Sequence, residues 1–369
     1  MLSILNDTHL GFNRVNGTTV VSREILRESL WTSLESTLNG IKTDLLLAGD
    51  LFDRYVIPNV DLVRAMTLLT GWLAQNPGKR LFMQAGNHDW SDRGTEVSSF
   101  HTLHNILRIG PYGERVMMIA PNSYAKLVFN PEDEFSGYSS MVVYVVAHHS
   151  DQTSFVATLE SVAADMKAVQ GMTDFRVILH ANYSNKFAAR SDHSLNVSED
   201  MADTLAPAQL IFAHEHQQKK AKGGRVVIIG NQWPTSVADC QGNDTKRYAV
   251  LECGGMVNFH DTWSASDPKF GYVTIDWRQL DSWTDYPGFV EIVGDAKAEE
   301  SAEVMGAVAK FRVKSKALIL TQSVNVAGIV REDGDLTDLK VGVKFDVRAF
   351  ASTMLSDKQM VTFDKLGAE

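Results

Sequence analysis

Cysteine is scarce in this chain. Cys240 and Cys253 are the only two in 369 residues, too few for a disulfide scaffold or a thiolate zinc site, so a reducing, cytoplasmic compartment is expected. Proline is sparse, with 9 residues against 26 glycines, and no low-complexity tract or internal repeat interrupts the chain. No hydrophobic run approaches the roughly 18 apolar residues that a membrane span needs, so no membrane association is expected. Met1-Leu2-Ser3-Ile4-Leu5 gives way at once to polar Asn6-Asp7-Thr8-His9, so the chain is expected to open on a strand without a secretory leader. Positive charge is also in deficit. Lys and Arg number 35 against 45 Asp and Glu, a net −10 with His neutral, which argues against broad non-specific attraction to nucleic acid and leaves room only for a local basic surface.

What is present is globular: 44% hydrophobic and 22% charged residues, at a length that predicts two or three compact units. Leu2–Leu5, Leu45–Leu47 and Leu81–Met83 read as short buried strands. Between them Ser22–Leu38, with leucine at 26, 30, 34 and 38, and Asp61–Gln75 read as amphipathic helices. Val142–Ala147, Val177–Leu179, Leu210–Phe212 and Val226–Ile229 continue the strands, with a helix at Ser154–Val169. Short apolar runs separated by helices predict an α/β sheet of buried strands. From Tyr248 the pieces become strand-like and Gly/Asp/Ser-punctuated, with one helix at Ala296–Phe311 and a final stretch whose helix spans Asp346–Leu355. The expected division is 1–250, a smaller α+β region at 251–330, and an appendage at 331–369.

Polar side chains capable of chemistry collect just after the strands: Asp7-Thr8-His9, Asp50, Asn87-His88-Asp89, His180 and His214-Glu215-His216. Ligands of open α/β sheets bind at the carboxyl ends of strands, so these residues are expected to converge along one edge. Carboxylate, imidazole and amide oxygen together suit two adjacent divalent ions, with a shared Asp bridging them. In Asp7-x-His9 and His214-x-His216 the side chains lie two apart, which in an extended segment aims both the same way.

In this order, Asp7-x-His9, Gly49-Asp50, Gly86-Asn87-His88-Asp89, a lone His180 and His214-x-His216 resemble the signature of the calcineurin-like metallophosphoesterases. Asp7-Thr8-His9-Leu10-Gly11, Gly49-Asp50-Leu51-Phe52-Asp53, Ser98-Ser99 before a helix and Leu179-His180 are similar to the SbcD-type, meiotic-recombination nucleases. The likeness covers roughly residues 1–240, and the overall length resembles compact phage-encoded recombination nuclease subunits, which would act in the host cytoplasm. The resemblance implies a β-sandwich flanked by helices, a capping domain that shapes DNA access at 251–330, and a partner-docking segment at 331–369. It also implies that Asp7, His9 and His216 hold one ion and Asn87, His180 and His214 a second, with Asp50 bridging. His88 would protonate the leaving oxygen, with Asp89 orienting it. Mn²⁺ is the expected metal and Mg²⁺ the alternative. Exonuclease action on duplex DNA, endonuclease action on single strands, a homodimer and an SbcC-like coiled-coil ATPase partner complete what the family implies. One position departs from the pattern: Ala213 stands where the family writes Gly before the last His-x-His.

Other residues have competing readings. His148-His149 also follows a strand and competes with His180, which matches the family order. His101 and His104 lie three apart on a helix and read as structural. Asp53-Arg54 is either a phosphate contact or a salt bridge, and Lys219, Lys220, Lys222 and Arg225 either a DNA-backbone contact or a solvated hairpin tip. Phe345, Val347, Phe350, Met354 and Leu355 either cover their own domain or dock on a partner. Two rival functions stand beside the nuclease: a phosphomonoesterase or small-molecule phosphodiesterase on the same two-metal core, and a non-catalytic scaffold, against which the complete ligand set argues.

Overall fold

The structure is a computed structural model and describes residues 1–12, 19–90, 97–131, 140–169, 174–185, 195–206, 208–242, 244–283 and 288–326. Strands β1 (Leu2–Leu5), β2 (Asp44–Ala48), β3 (Leu81–Gln84) and β4 (Val116–Ile119) run parallel, and the antiparallel hairpin of β13 (Thr245–Leu251) and β14 (Asn258–Ser264) extends them, β13 pairing antiparallel with β1, in the order β14-β13-β1-β2-β3-β4. A second six-stranded sheet has the order β11-β12-β10-β7-β6-β5. It is built from β5 (Tyr124–Phe129), β6 (Met141–Val146), β7 (Asp174–His180), β10 (Ala208–Ala213), β11 (Lys219–Ala221) and β12 (Val226–Ile228). A two-residue pair, β8 (Asn182–Tyr183) with β9 (Asn196–Val197), follows β7.

The near-continuous apolar strands are explained by burial on both faces. In β2, Leu46 and Ala48 face a core shared with Val143 and Val145 of β6 and Ile211 and Ala213 of β10, between the two sheets. Leu45 and Leu47 face the other way, with helices α1 (Val20–Gly40), α2 (Asn59–Gln75) and α3 (Ser99–Ile109). Val142, Tyr144 and Val146 of β6 likewise turn outward toward α4 (Gln152–Ala168) and α5 (Glu199–Thr204). Two sheets with helices on both outer faces make a four-layer α/β sandwich, the helix-flanked β-sandwich that the family resemblance implied. Helix α1 begins where the pattern requires a cap: Ser22 N–H donates to Thr19 Oγ1 at 3.0 Å, and Thr19 N–H to Ser22 Oγ at 2.7 Å.

The hairpin of β13 and β14 belongs to the first sheet, so the boundary expected at residue 250 cuts β13 itself, one residue before its end at Leu251. Beyond it, β15 (Tyr272–Asp276), β16 (Phe289–Ala296) and β17 (Ile319–Val326) form a three-stranded sheet accompanied by α6 (Ser301–Lys314). This is the smaller α+β region, and its Phe289, Leu318 and Ile319 share one apolar cluster with Trp263 and Val237. Residues Met1–Asn325 make one compact unit. The appendage at 331–369, its helix and its apolar stripe lie outside the described residues. Edge strands escaped the pattern reading for a physical reason: β11 is Lys-Lys-Ala with its lysines exposed, and β5 buries only Leu127 and Phe129. Among the described residues, no helix is long and apolar enough to cross a membrane.

Candidate metal centre

The loops after β1 and β2 are laced together by their backbones. Asp7 N–H donates to Gly49 O at 3.0 Å, His9 N–H to Asp50 O at 3.0 Å and Leu10 N–H to Leu51 O at 2.9 Å. Asp7, His9, Asp50 and His214 take positive φ values of 48°, 47°, 49° and 81°, a costly region for residues with a Cβ and one that clusters at functional sites. The pairs Asp7-x-His9 and His214-x-His216 are therefore not presented by extended segments, as the two-residue spacing suggested. Turned backbones aim them instead. Two glycines make room. A Cβ on Gly49 (φ +90°) would lie 2.2 Å from His180 Nδ1, and one on Gly86 would lie 2.2 Å from Asp50 Oδ1.

Three sets of ligand atoms converge, each within 4.8 Å: Asp7, His9 and His216; His9, Asp50 and His88; and Asp50, His180 and His214. Asp50 belongs to two of them, the placement that a bridging carboxylate requires. Asn87 joins the third set, with its Oδ1 3.1 Å from His180 Nε2. The structure thus brings together all seven residues whose types suggested metal ligation. The donor set fits cations on three observations. Asp7 Oδ1 is buried and accepts no hydrogen bond among the described residues, while Oδ2 takes the His214 N–H at 2.9 Å. His9 Nε2 and His216 Nε2 point at one another across 3.1 Å. The His180 Nδ1–H donates to Ala48 O at 3.1 Å, which aims Nε2 at the Asp50 and Asn87 oxygens. Oxygen and imidazole donors without thiolate suit Mn²⁺, Fe²⁺ or Zn²⁺.

Electrostatics show the same demand for positive charge. Burial opposes ionisation of His180, but the Asp50 carboxylate 3.3 Å away outweighs it and lifts the ring to about 9. Burial likewise opposes ionisation of Asp50, and the imidazoles around it nevertheless hold it well below the usual carboxylate range. Burial and the neighbouring His180 push His214 down to about 4, leaving a neutral imidazole suited to ligation.

His88 sits at the mouth, its side chain 34% exposed, with Nε2 4.0 Å from Asp50 Oδ2. Its Nδ1–H donates to the Asp53 carbonyl at 2.9 Å. The expected orienting role of Asp89 therefore falls to this carbonyl. Asp89 is buried and accepts the backbone N–H groups of Gly86, Leu51 and Phe52, each at 3.2 Å, so it ties the second and third loops together. Burial and the nearby Asp50 charge raise it to about 7.

The competing histidines separate on geometry. His149 commits both ring nitrogens, Nδ1 to Ala147 O and Nε2 to Thr158 Oγ1, each at 2.8 Å. His148 packs against Trp90, and burial pushes it down to about 3; neither joins a ligand set. His101 bonds the α3 cap residue Ser98, and His104 pairs with Asn105. Ala213 closes β10 with its methyl in the inter-sheet core, so the departure from glycine is absorbed there, and His214 makes the left-handed turn itself. Of the basic cluster, Lys222 and Arg225 pair with Asp203, and Lys220 lies over Phe259, which is the hairpin-tip reading. Asp53 is buried with a carboxylate oxygen 3.6 Å from His9 Nδ1, facing the metal loops.

Several supporting residues carried no signal in the sequence. Asp239 Oδ1 accepts His216 Nδ1–H at 3.0 Å, while its Oδ2 takes Thr235 N–H, Thr235 Oγ1–H, Ser236 N–H and Asn231 Nδ2–H. Lys246, fully buried, donates to His216 O at 2.8 Å, and burial draws its amine down to about 8. Asp239→Asn should weaken Mn²⁺ binding about 10–100-fold by freeing the His216 tautomer. Calorimetric titration tests this, and unchanged affinity in a folded variant would assign His216's orientation to packing.

The calcineurin-like phosphoesterase family model matches residues 3–218, more than half of the chain and a span that contains every residue of the three ligand sets. No curated protein matches. Among solved structures, the chain is similar to the calcineurin-like phosphoesterase YfkN from Bacillus subtilis, at 11% identity and a TM-score of 0.36, over 70% of this chain and 87% of that one.

Proposed function

The chain belongs to the calcineurin-like phosphoesterase family, a membership that implies a metal-dependent hydrolase, and on that premise we propose that it is a phosphodiesterase that cuts DNA, the nuclease subunit of an SbcCD-like end-processing and recombination complex. The observation that carries the reading is the joint placement of Asp7, His9, Asp50, Asn87, His180, His214 and His216 around one centre with a half-exposed His88 at its mouth. In this reading Asp7, His9 and His216 bind one ion, Asn87, His180 and His214 the other, and Asp50 both. Two divalent ions held there, proposed to be Mn²⁺ with Mg²⁺ the alternative, would supply an acidified water and offset negative charge on the phosphate. The protein's own steps are simpler. The Asp53 carbonyl fixes His88 Nδ1–H, so Nε2 is the atom that delivers a proton to the departing ester oxygen.

The DNA substrate is supported by Asp7-Thr8-His9-Leu10-Gly11 and Gly49-Asp50-Leu51-Phe52-Asp53, which resemble the SbcD type more than a phosphatase, whose third motif would end in Glu where this chain has Asp89. The three-stranded region of β15–β17 is the proposed cap. A homodimer is supported by Val56, Val60, Val63 and Val97, which lie 54–69% exposed at the start of α2 and before α3. The proposed SbcC-like ATPase would engage the C-terminal region. A net charge of −10 sets affinity: cations at the centre attract phosphate, while the acidic remainder makes binding salt-sensitive and partner-assisted.

The test is hydrolysis by the purified chain with Mn²⁺ or Mg²⁺ on linear duplex DNA, single-stranded DNA and a nitrophenyl phosphate ester, with and without the ATPase. Metal-dependent DNA cutting is expected. Ester turnover with DNA intact, even with the ATPase present, would overturn the nuclease reading.

A further inference from the structure

Away from the ligand sets, a cleft of about 700 Å³ opens between one face of α1 and the residues around β13 and β14, a volume in the range of small-ligand sites. Its two walls differ in chemistry. One is aromatic: Tyr248 and His260 are stacked, with ring centroids 5.0 Å apart and planes 14° from parallel, and Trp233 meets Phe270 edge-on at 5.8 Å. The other wall is a row of hydroxyls spaced by helix turns. Ser29 and Thr32 donate to the α1 carbonyls of Ile25 and Glu28, which leaves their oxygens as acceptors. Ser33, Ser36 and Thr37 follow on the same face. Glu28, at the rim, is held by both guanidinium nitrogens of Arg64. Trp233 carries a buried Nε1–H with no acceptor among the described residues, a donor that a ligand oxygen or ring nitrogen would satisfy.

We propose that this cleft binds a nucleobase. A flat heteroaromatic ring can stack on the Tyr248–His260 pair, and its polar edge can find donors and acceptors in the hydroxyl row and the Trp233 indole. A purely apolar guest would offer no donor to those hydroxyl oxygens. A phosphate group would find little to hold it, since among the described residues Lys269 is the one lysine or arginine lining the cleft, against Glu28 and Asp261. The base is therefore the recognised part, whether it belongs to a free nucleoside or to an unpaired strand. The cleft also communicates with the metal loops. The Asn231 side-chain amide donates both to Trp233 O at 2.8 Å and to Asp239, which supports His216.

Calorimetry in EDTA on the full chain tests the site independently of hydrolysis, so its failure is distinct from that of the nuclease reading. The probes are deoxyadenosine, a short oligodeoxyadenylate and deoxyribose 5-phosphate. Saturable binding of deoxyadenosine or the oligomer is expected, with none of deoxyribose 5-phosphate. His260→Ala, at an exposed position, should weaken it about tenfold, and Ser33→Val/Thr37→Val should weaken it with the melting temperature retained. Nucleoside binding alone would identify a free-nucleoside site; tighter binding of the oligomer, displaced by nucleoside, would identify a strand-derived base. Absence of saturable binding by both base-containing probes, equal competition by deoxyribose 5-phosphate, or full affinity in a folded His260→Ala chain would overturn the proposal.

Discussion

Asp50→Asn is expected to lower metal-dependent hydrolysis by well over 100-fold and to reduce the number of bound Mn²⁺ ions below two. The reason is its membership of two ligand sets at once. A residue one shell further out costs about 10–100-fold in affinity or activity when lost, and Asp50 is the carboxylate that both proposed ions would share. Equilibrium dialysis with Mn²⁺ reads the stoichiometry directly, and two ions bound with full activity would remove Asp50 from the bridge. Without metal the same substitution has a pH signature. Burial resists charging His180, but Asp50 raises it from 6.5 to about 9, so the pair's contribution is complete below about pH 6.5 and is lost as pH rises through 9. Asp50 itself is held well below its ordinary 3.8, so its contribution is present above that value and is lost as acid titrates it. Wild-type protein in EDTA should therefore gain on the order of 3 kcal/mol from this pair between about pH 4 and 6.5. Asp50→Asn should flatten that window in thermal melts across pH.

The candidate ligands were legible in the sequence because each sits one to four residues beyond a short apolar run, and such runs become parallel strands, here in two sheets, with ligands at their carboxyl ends. Leu2–Leu5 is strand β1 as read, and Leu45–Leu47 and Leu81–Met83 lie inside β2 and β3. What could not be read was the support. Asp239 follows His216 by 23 residues and reaches it only because the chain doubles back through Thr235 and Ser236, whose N–H groups its carboxylate gathers. Lys246 looks like one more surface lysine, but the close of the first sheet buries it completely. The assignment of Asp89 to His88 illustrates the same limit. Adjacency in a motif suggests a partnership, whereas the turn at Gly86 sends the carboxylate inward to backbone amides and leaves His88 to a carbonyl from another loop.

His88→Ala should reduce DNA cutting by about 10²–10⁴-fold, the usual cost of a lost general acid, while leaving both Mn²⁺ ions bound. The contrast between substrates sharpens the expectation. A nitrophenyl ester departs as a stable phenolate and needs no proton, whereas the sugar oxygen of DNA departs as a strongly basic alkoxide. His88→Ala should therefore cost far less on the nitrophenyl ester than on DNA, provided the ester is turned over at all. The competing role is written in the structure, because His88 lies in a ligand set with His9 and Asp50 and within 4.0 Å of the Asp50 carboxylate. If it were a ligand, the substitution would remove an ion and depress both substrates equally. Its geometry favours the acid: Nδ1 is engaged by the Asp53 carbonyl, which leaves Nε2 as the proton-delivering atom, and the side chain is more exposed than those of His9, His180 and His216. Dialysis against Mn²⁺ together with the ratio of the two losses separates the roles, and loss of an ion with equal losses on both substrates would make His88 a ligand.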